Sequence, residues 1–139
     1  MARTIPIIKL RRNLIVSIQI DMTDRIVAEL KENIAHEVRS QEVSGLIIEV
    51  SAVDFLDSYI ARSIQQIAKI AHCMGVTTVL AGLDASVAIT LVEMGADMLG
   101  VDTALNLEAA LDGLEEAQAI ERARDAEVEA LIWKEIAET

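Results

Sequence analysis

The sequence predicts an α/β fold: a mixed β-sheet with helices packed mainly on one face, followed by a C-terminal helical extension. Three observations predict it. Short β-branched runs alternate with longer segments of helical apolar spacing. The first two runs are separated by only a short polar turn, as in a hairpin, whereas each later run is separated from the next by a helical segment. Beyond residue 115 glycine and proline disappear and alanine and glutamate dominate. The expected division is therefore one domain over residues 1–115 and a helical extension or tail over 116–139.

Taken in order, Ile5 to Leu10 reads as a strand with Pro6 near its start, where a missing N–H is tolerated. Arg11-Arg12-Asn13 turns the chain. Leu14 to Ile20 forms a second strand with Leu14, Val16, Ile18 and Ile20 on one face. Asp21 and Thr23 can each cap a helix over residues 24–40, whose inner face carries Ile26, Val27, Leu30, Ile34 and Val38. Leu46 to Val50 is a buried strand. Asp57 caps the next helix and puts Ser58 at its first position. Ile60, Ile64, Ile67, Ala68 and Ala71 form the inner face, and Gly75 ends the helix. Val76 to Leu80 is a further strand. A helix from Ala85 to Met94 is expected to pack Val87, Ile89, Leu91 and Val92, with Gly95 closing it. Leu99-Gly100-Val101 is a minimal edge strand. Asp102 or Thr103 is the expected cap of the last domain helix, with Leu107, Leu111 and Leu114 inward.

Composition narrows the function. Apolar residues make up 53% of the chain, so it can bury a core; aromatics are only 2%, which leaves no platform for stacking bases. A formal charge of −11 disfavours nucleic acid and anionic membranes as partners. One cysteine and two histidines build no disulfide and no zinc set without carboxylates, and no cofactor or metal is expected. The single thiol fits a reducing compartment, and Arg3, Lys9, Arg11 and Arg12 interrupt any apolar leader. The expected location is the cytoplasm.

No Gly-rich phosphate loop and no GxSxG elbow is present, so no catalytic residues are assigned. His36 and His72 are expected on solvated helix faces. Asp54 and Asp57 resemble a paired carboxylate, but their position between strand and helix favours a turn former and an N-cap. Ser58 is either a plain helix-start residue or a phosphoacceptor. A phosphate there meets the positive end of the helix dipole, yet adds charge beside Asp54 and Asp57. Thr23 and Ser86 are weaker candidates of the same kind, each also readable as a cap. Trp133 is the residue of the extension most suited to touching a partner.

The segments LIIEVSA and VDFLDSYIAR, with the opening IPIIKLRRNLIVSIQIDMTD, resemble the STAS domain family, the fold of bacterial anti-sigma factor antagonists. Within it the likeness is nearest to the RsbS branch, the single-domain scaffolds of the stressosome. It extends over about residues 1–115. The resemblance implies that Ser58 matches a serine phosphorylated by an RsbT-like serine/threonine kinase. The unmodified scaffold holds that kinase, and modification releases it. It further implies RsbR-like STAS paralogues as partners, an RsbX-like phosphatase, and self-association in large particles. Asp54, Asp57, Tyr59 and Arg62, which flank Ser58, are the expected partner-binding residues. Thr23 lies where RsbR-type relatives carry a second phosphoacceptor, although IDMTDR departs from their pattern at Met22. Two other readings stay open: a soluble antagonist binding an anti-sigma kinase, and a small α/β enzyme or ligand sensor using Asp54, Asp57 and Ser58 around a cleft.

Overall fold

The computed structural model describes residues 5–19, 21–40, 42–93 and 101–138. Strand β1 (Ile7–Leu10) starts just after Pro6 and is followed by β2 (Asn13–Ser17), helix α1 (Asp24–Ser40) and β3 (Gly45–Glu49). Then come α2 (Ser58–Cys73), β4 (Thr77–Ala81), α3 (Ala85–Glu93), β5 (Val101–Ala104) and α4 (Leu107–Ala137). The five strands form one sheet in the order β1-β2-β3-β4-β5. β1 and β2 are antiparallel, with Ile8 opposite Ile15; the other neighbours are parallel, with Ile15, Ile47 and Val79 in register across β2, β3 and β4. Sequential parallel strands need a crossover between them, and each interstrand helix supplies one.

Strand alternation divides the core in two. Leu14, Val16, Leu46, Ile48 and Leu80 face α1, α2 and α3 and join Ile26, Leu30, Ile64 and Ile67 in the larger cluster. Ile15, Ile47, Val79 and Ala81 point the other way and meet Ala110 and Leu114 of α4. The helices thus lie mainly on one face, and the start of α4 covers the other. Ile47 and Ile48 are both fully buried, which explains why β3 reads as a continuous apolar run. Each such side chain contributes about 1.5–3 kcal/mol by leaving water.

The expected hairpin, cap and stop signals mostly hold. Thr23 caps α1, its Oγ1 accepting from Ile26 N at 3.3 Å. Gly75 follows α2 with φ 80°, a left-handed conformation that glycine adopts without a Cβ clash. Some expectations differ, among them Asn13, which opens β2 instead of ending the turn. α3 buries only Val87 and Leu91, one turn apart; Ile89 and Val92, on the opposite side, are 58% and 80% exposed. Asp102 and Thr103 pair with Val79 and Leu80 as part of β5, so neither caps α4. That cap is Asn106, whose Oδ1 accepts from Ala109 N at 2.8 Å. The predicted positions of Ile20, Met94, Gly95, Leu99 and Gly100 lie outside the described residues. Among the described residues no helix is long and apolar enough to cross a membrane.

α4 is a single helix with two parts. Up to Gln118 it packs on the sheet; from Ala119 to Glu138 every residue is exposed.

Candidate phosphorylation and docking site

The β3–α2 junction builds its site from one cap. Asp57 has extended backbone angles (φ −97°, ψ 173°), and its carboxylate accepts from Ile60 N at 2.8 Å. Its carbonyl accepts from Ala61 N at 3.1 Å, which starts the helical ladder. The side-chain bond satisfies one of the free N–H groups of the first turn, and the ladder bond fixes Ser58 as the first helical residue. Ser58 is exposed, while Ala61, Ser63 and Ile64 behind it are buried. The helix is therefore anchored from within and offers its tip to solvent.

The neighbouring candidates divide between two sides of that tip. Tyr59 turns toward α1 and donates its hydroxyl to Asp24 Oδ1 at 2.6 Å. That bond, with some burial and the Asp24 charge, holds the phenol above its ordinary pKa. Arg62 reaches back one turn, its Nε donating to Ser58 O at 3.3 Å. Tyr59 and Arg62, with Asp24, Lys31 and Gln66, line a groove of about 430 Å³ between α1 and α2. Asp54 lies on the other side, in a smaller groove of about 210 Å³ with Asp21, Val53 and Phe55; neither Asp57 nor Ser58 lines that groove. Asp54, Asp57 and Ser58 therefore do not converge on either of these grooves. Among the described residues no group of three or more His, Cys, Asp or Glu side chains is placed to hold a metal ion.

The other hydroxyls also lie at helix starts. Thr23 is the cap of α1 described above. Ser86, in the first turn of α3, donates to Asp84 Oδ2 at 3.1 Å. Both are exposed. Because β2, β3 and β4 are parallel, the first turns of α1, α2 and α3, where Thr23, Ser58 and Ser86 lie, all sit at the same end of the sheet, although Asp84 rather than Ser86 accepts the first ladder bond of α3. At that end Glu49 closes β3. Burial pushes its carboxyl up, but hydrogen bonds from the Ser51 hydroxyl and backbone and from Ser17 outweigh this and leave it below the usual carboxylate range.

With this geometry in view, the comparison with protein families matches residues 4–110 to the STAS domain. The chain belongs to the STAS domain family. A solved Moorella thermoacetica RsbS S58E is similar to this STAS domain at 36% identity, covering 83% of this chain and 97% of that one, with a TM-score of 0.72. A structure from work on the molecular architecture of the stressosome, a signal integration and transduction hub, is 37% identical. It covers 81% of this chain and 98% of that one, with a TM-score of 0.73. The unphosphorylated anti-sigma factor antagonist SpoIIAA shares the fold alone, at 15% identity and a TM-score of 0.57 over 87% of this chain and 96% of that one. The comparison with curated proteins finds no match.

Two features of this STAS domain's tip were not singled out from sequence. Asp24 lies 35 residues before Tyr59, and only packing of α1 on α2 makes them partners. Phe55 is 78% exposed beside Asp54. Its signal was available: one of very few aromatics, set in a polar turn just before a helix cap.

Proposed function

We propose that this STAS domain is a non-catalytic scaffold of a bacterial stress-signalling complex. It retains an RsbT-like serine/threonine kinase at the α2 tip and releases it when Ser58 is phosphorylated. The supporting observation is the exposed Ser58 at the first position of α2, directly after the Asp57 cap. In the transfer step Ser58 Oγ attacks the γ-phosphorus of ATP held by the kinase. The hydroxyl proton passes to a kinase base, and ADP leaves.

The modification adds roughly −1.5 to −2 charge. The positive end of the helix dipole accommodates it, so the domain stays folded. A partner surface fitted to the neutral tip then meets repulsion from the phosphate together with Asp54 and Asp57, while Tyr59 and Arg62 form the rest of its footprint. The likeness to the Moorella S58E variant supports this reading, because that protein carries a glutamate in place of a serine and keeps a fold similar to this one. An RsbX-like phosphatase resets Ser58, and RsbR-like paralogues co-assemble with the scaffold. Thr23 and Ser86, exposed at the same end of the sheet, are secondary phosphoacceptors on this reading.

The test is phosphorylation by the cognate kinase with ATP, in the wild type and in Ser58→Ala. Uptake should fall sharply in the variant, with mass mapping placing the wild-type phosphate on Ser58. Equal uptake, with no phosphate at Ser58, would overturn the assignment. The fold shared with SpoIIAA favours a second reading, a soluble antagonist binding an anti-sigma kinase. Size-exclusion with an RsbR-like partner separates them: a megadalton particle for the scaffold, a small heterocomplex for the antagonist.

A further inference from the structure

The exposed half of α4 takes no part in the α2 tip, yet it carries Ile120, Val128, Leu131 and Ile132 at 48% to 61% exposure. Helices in proteins draw most of their stability from packing an apolar face. Their apolar side chains call for a partner, and the charges specify which one. Arg124-Asp125 and Lys134-Glu135 are the same cation–anion pair, set on either side of Val128 and Leu131. Reversing the segment end for end about the point between Glu129 and Ala130 puts Arg124 over Glu135, Asp125 over Lys134, and Val128 over Leu131. Running it parallel sets each of these charges against its own sign.

We infer that this segment pairs antiparallel with the same segment of a second copy of the chain. Arg124, Val128, Leu131 and Glu135 recur at helical spacing along one stripe, with Ile132 and Ile120 at its margins. In the pair, Val128 and Leu131 of both copies form an apolar centre, and Arg124–Glu135 ion pairs close it at each end. Glu121 falls opposite Glu138, the one like-signed contact, at the outer limits where solvent screens it. Trp133 lies off this stripe and remains on the outer surface of the pair. Within one helix Arg124 and Glu135 are about 16 Å apart along the axis, so they can meet only between copies.

Sedimentation equilibrium of the full chain tests the pairing. The wild type is expected at a dimer mass or an even multiple of it, and Leu131→Glu at half that mass. Leu131 is exposed on the free part of α4, so this change leaves the domain folded, as circular dichroism will show. Arg124→Glu and Glu135→Arg should each weaken the dimer about tenfold, since each turns two attractive contacts repulsive. The double variant should regain wild-type affinity. A monomeric wild type, a mass unchanged by Leu131→Glu, or a double variant no tighter than the single ones overturns the inference.

Discussion

Gln118 donates from Nε2 to Oδ1 of Asn13 at 2.8 Å, joining residues 105 apart in the chain. Both side chains are buried, and this bond marks where α4 stops being part of the domain. Asn13 Nδ2 has no partner of its own, so the site has no spare hydrogen bonding to absorb a loss. Replacing Gln118 by alanine strands the Asn13 carbonyl oxygen as well. Gln118→Ala should therefore cost about 1–3 kcal/mol. In urea unfolding the midpoint should fall with the slope unchanged. A truncation of similar size on the exposed stretch, Ile136→Ala, should leave domain stability within measurement error.

Gly45 permits that approach. A Cβ built on it would stand 2.3 Å from Asn13 Oδ1 and 2.9 Å from Leu114 Cδ1. Neither neighbour has room to withdraw, because both are buried. Gly45→Ala should cost about 1–3 kcal/mol through overpacking. Thermal unfolding of the purified variant measures it, and a melting temperature equal to the wild type's would show that α4 can shift off the sheet at no expense.

How much of this was legible from the residues depends on the range of the interaction. β3 and α2 could be read because their signals are local: a continuous β-branched run, then an N-cap followed by apolar residues at helical spacing. α3 could not be read in detail. Its segment, ASVAITLVE, is apolar almost throughout, so periodicity does not tell Val87 and Leu91 from Ile89 and Val92. The start of α4 was misplaced because Asp102 and Thr103 suit a cap as well as Asn106 does, and only their pairing with β4 removes them from the helix. The exposed position of Ser58 was legible, being set by the Asp57 cap one residue before it. The Asp24–Tyr59 bond and the Gln118–Asn13 bond were not, since no local pattern joins residues from separate elements.

Glu49 gives the domain a pH dependence on its acid side. Its carboxyl titrates below the ordinary value of 4.5 in the folded state, because the hydrogen bonds from Ser51 and Ser17 favour the charged form more than burial opposes it. A depressed folded-state pKa means that the unfolded chain binds the proton first. The stabilisation is then complete above about pH 4.5, and it is lost as the pH falls through the lower folded-state value. Glu49→Gln should lower stability at pH 7. The gap to the wild type should narrow as the pH drops through this window. Parallel stability curves for the two proteins down to pH 3 would assign the acid sensitivity to other carboxylates.

Asp57 and Ser58 are adjacent, yet substitutions at the two should act on different properties. Asp57→Ala removes the acceptor for Ile60 N and should cost about 0.5–2 kcal/mol of stability. Ser58→Glu adds a negative charge at the favourable end of the α2 dipole, which is worth about 0.3–1 kcal/mol in the opposite direction. Its melting temperature should therefore be equal to or slightly above the wild type's. On the proposed switch, kinase retention should fall all the same, because that reading docks the partner against this tip. A pull-down alongside thermal unfolding of both variants separates the two effects. If Ser58→Glu melts early, loss of the partner would follow from a damaged helix start, and the electrostatic switch would have no support from this site.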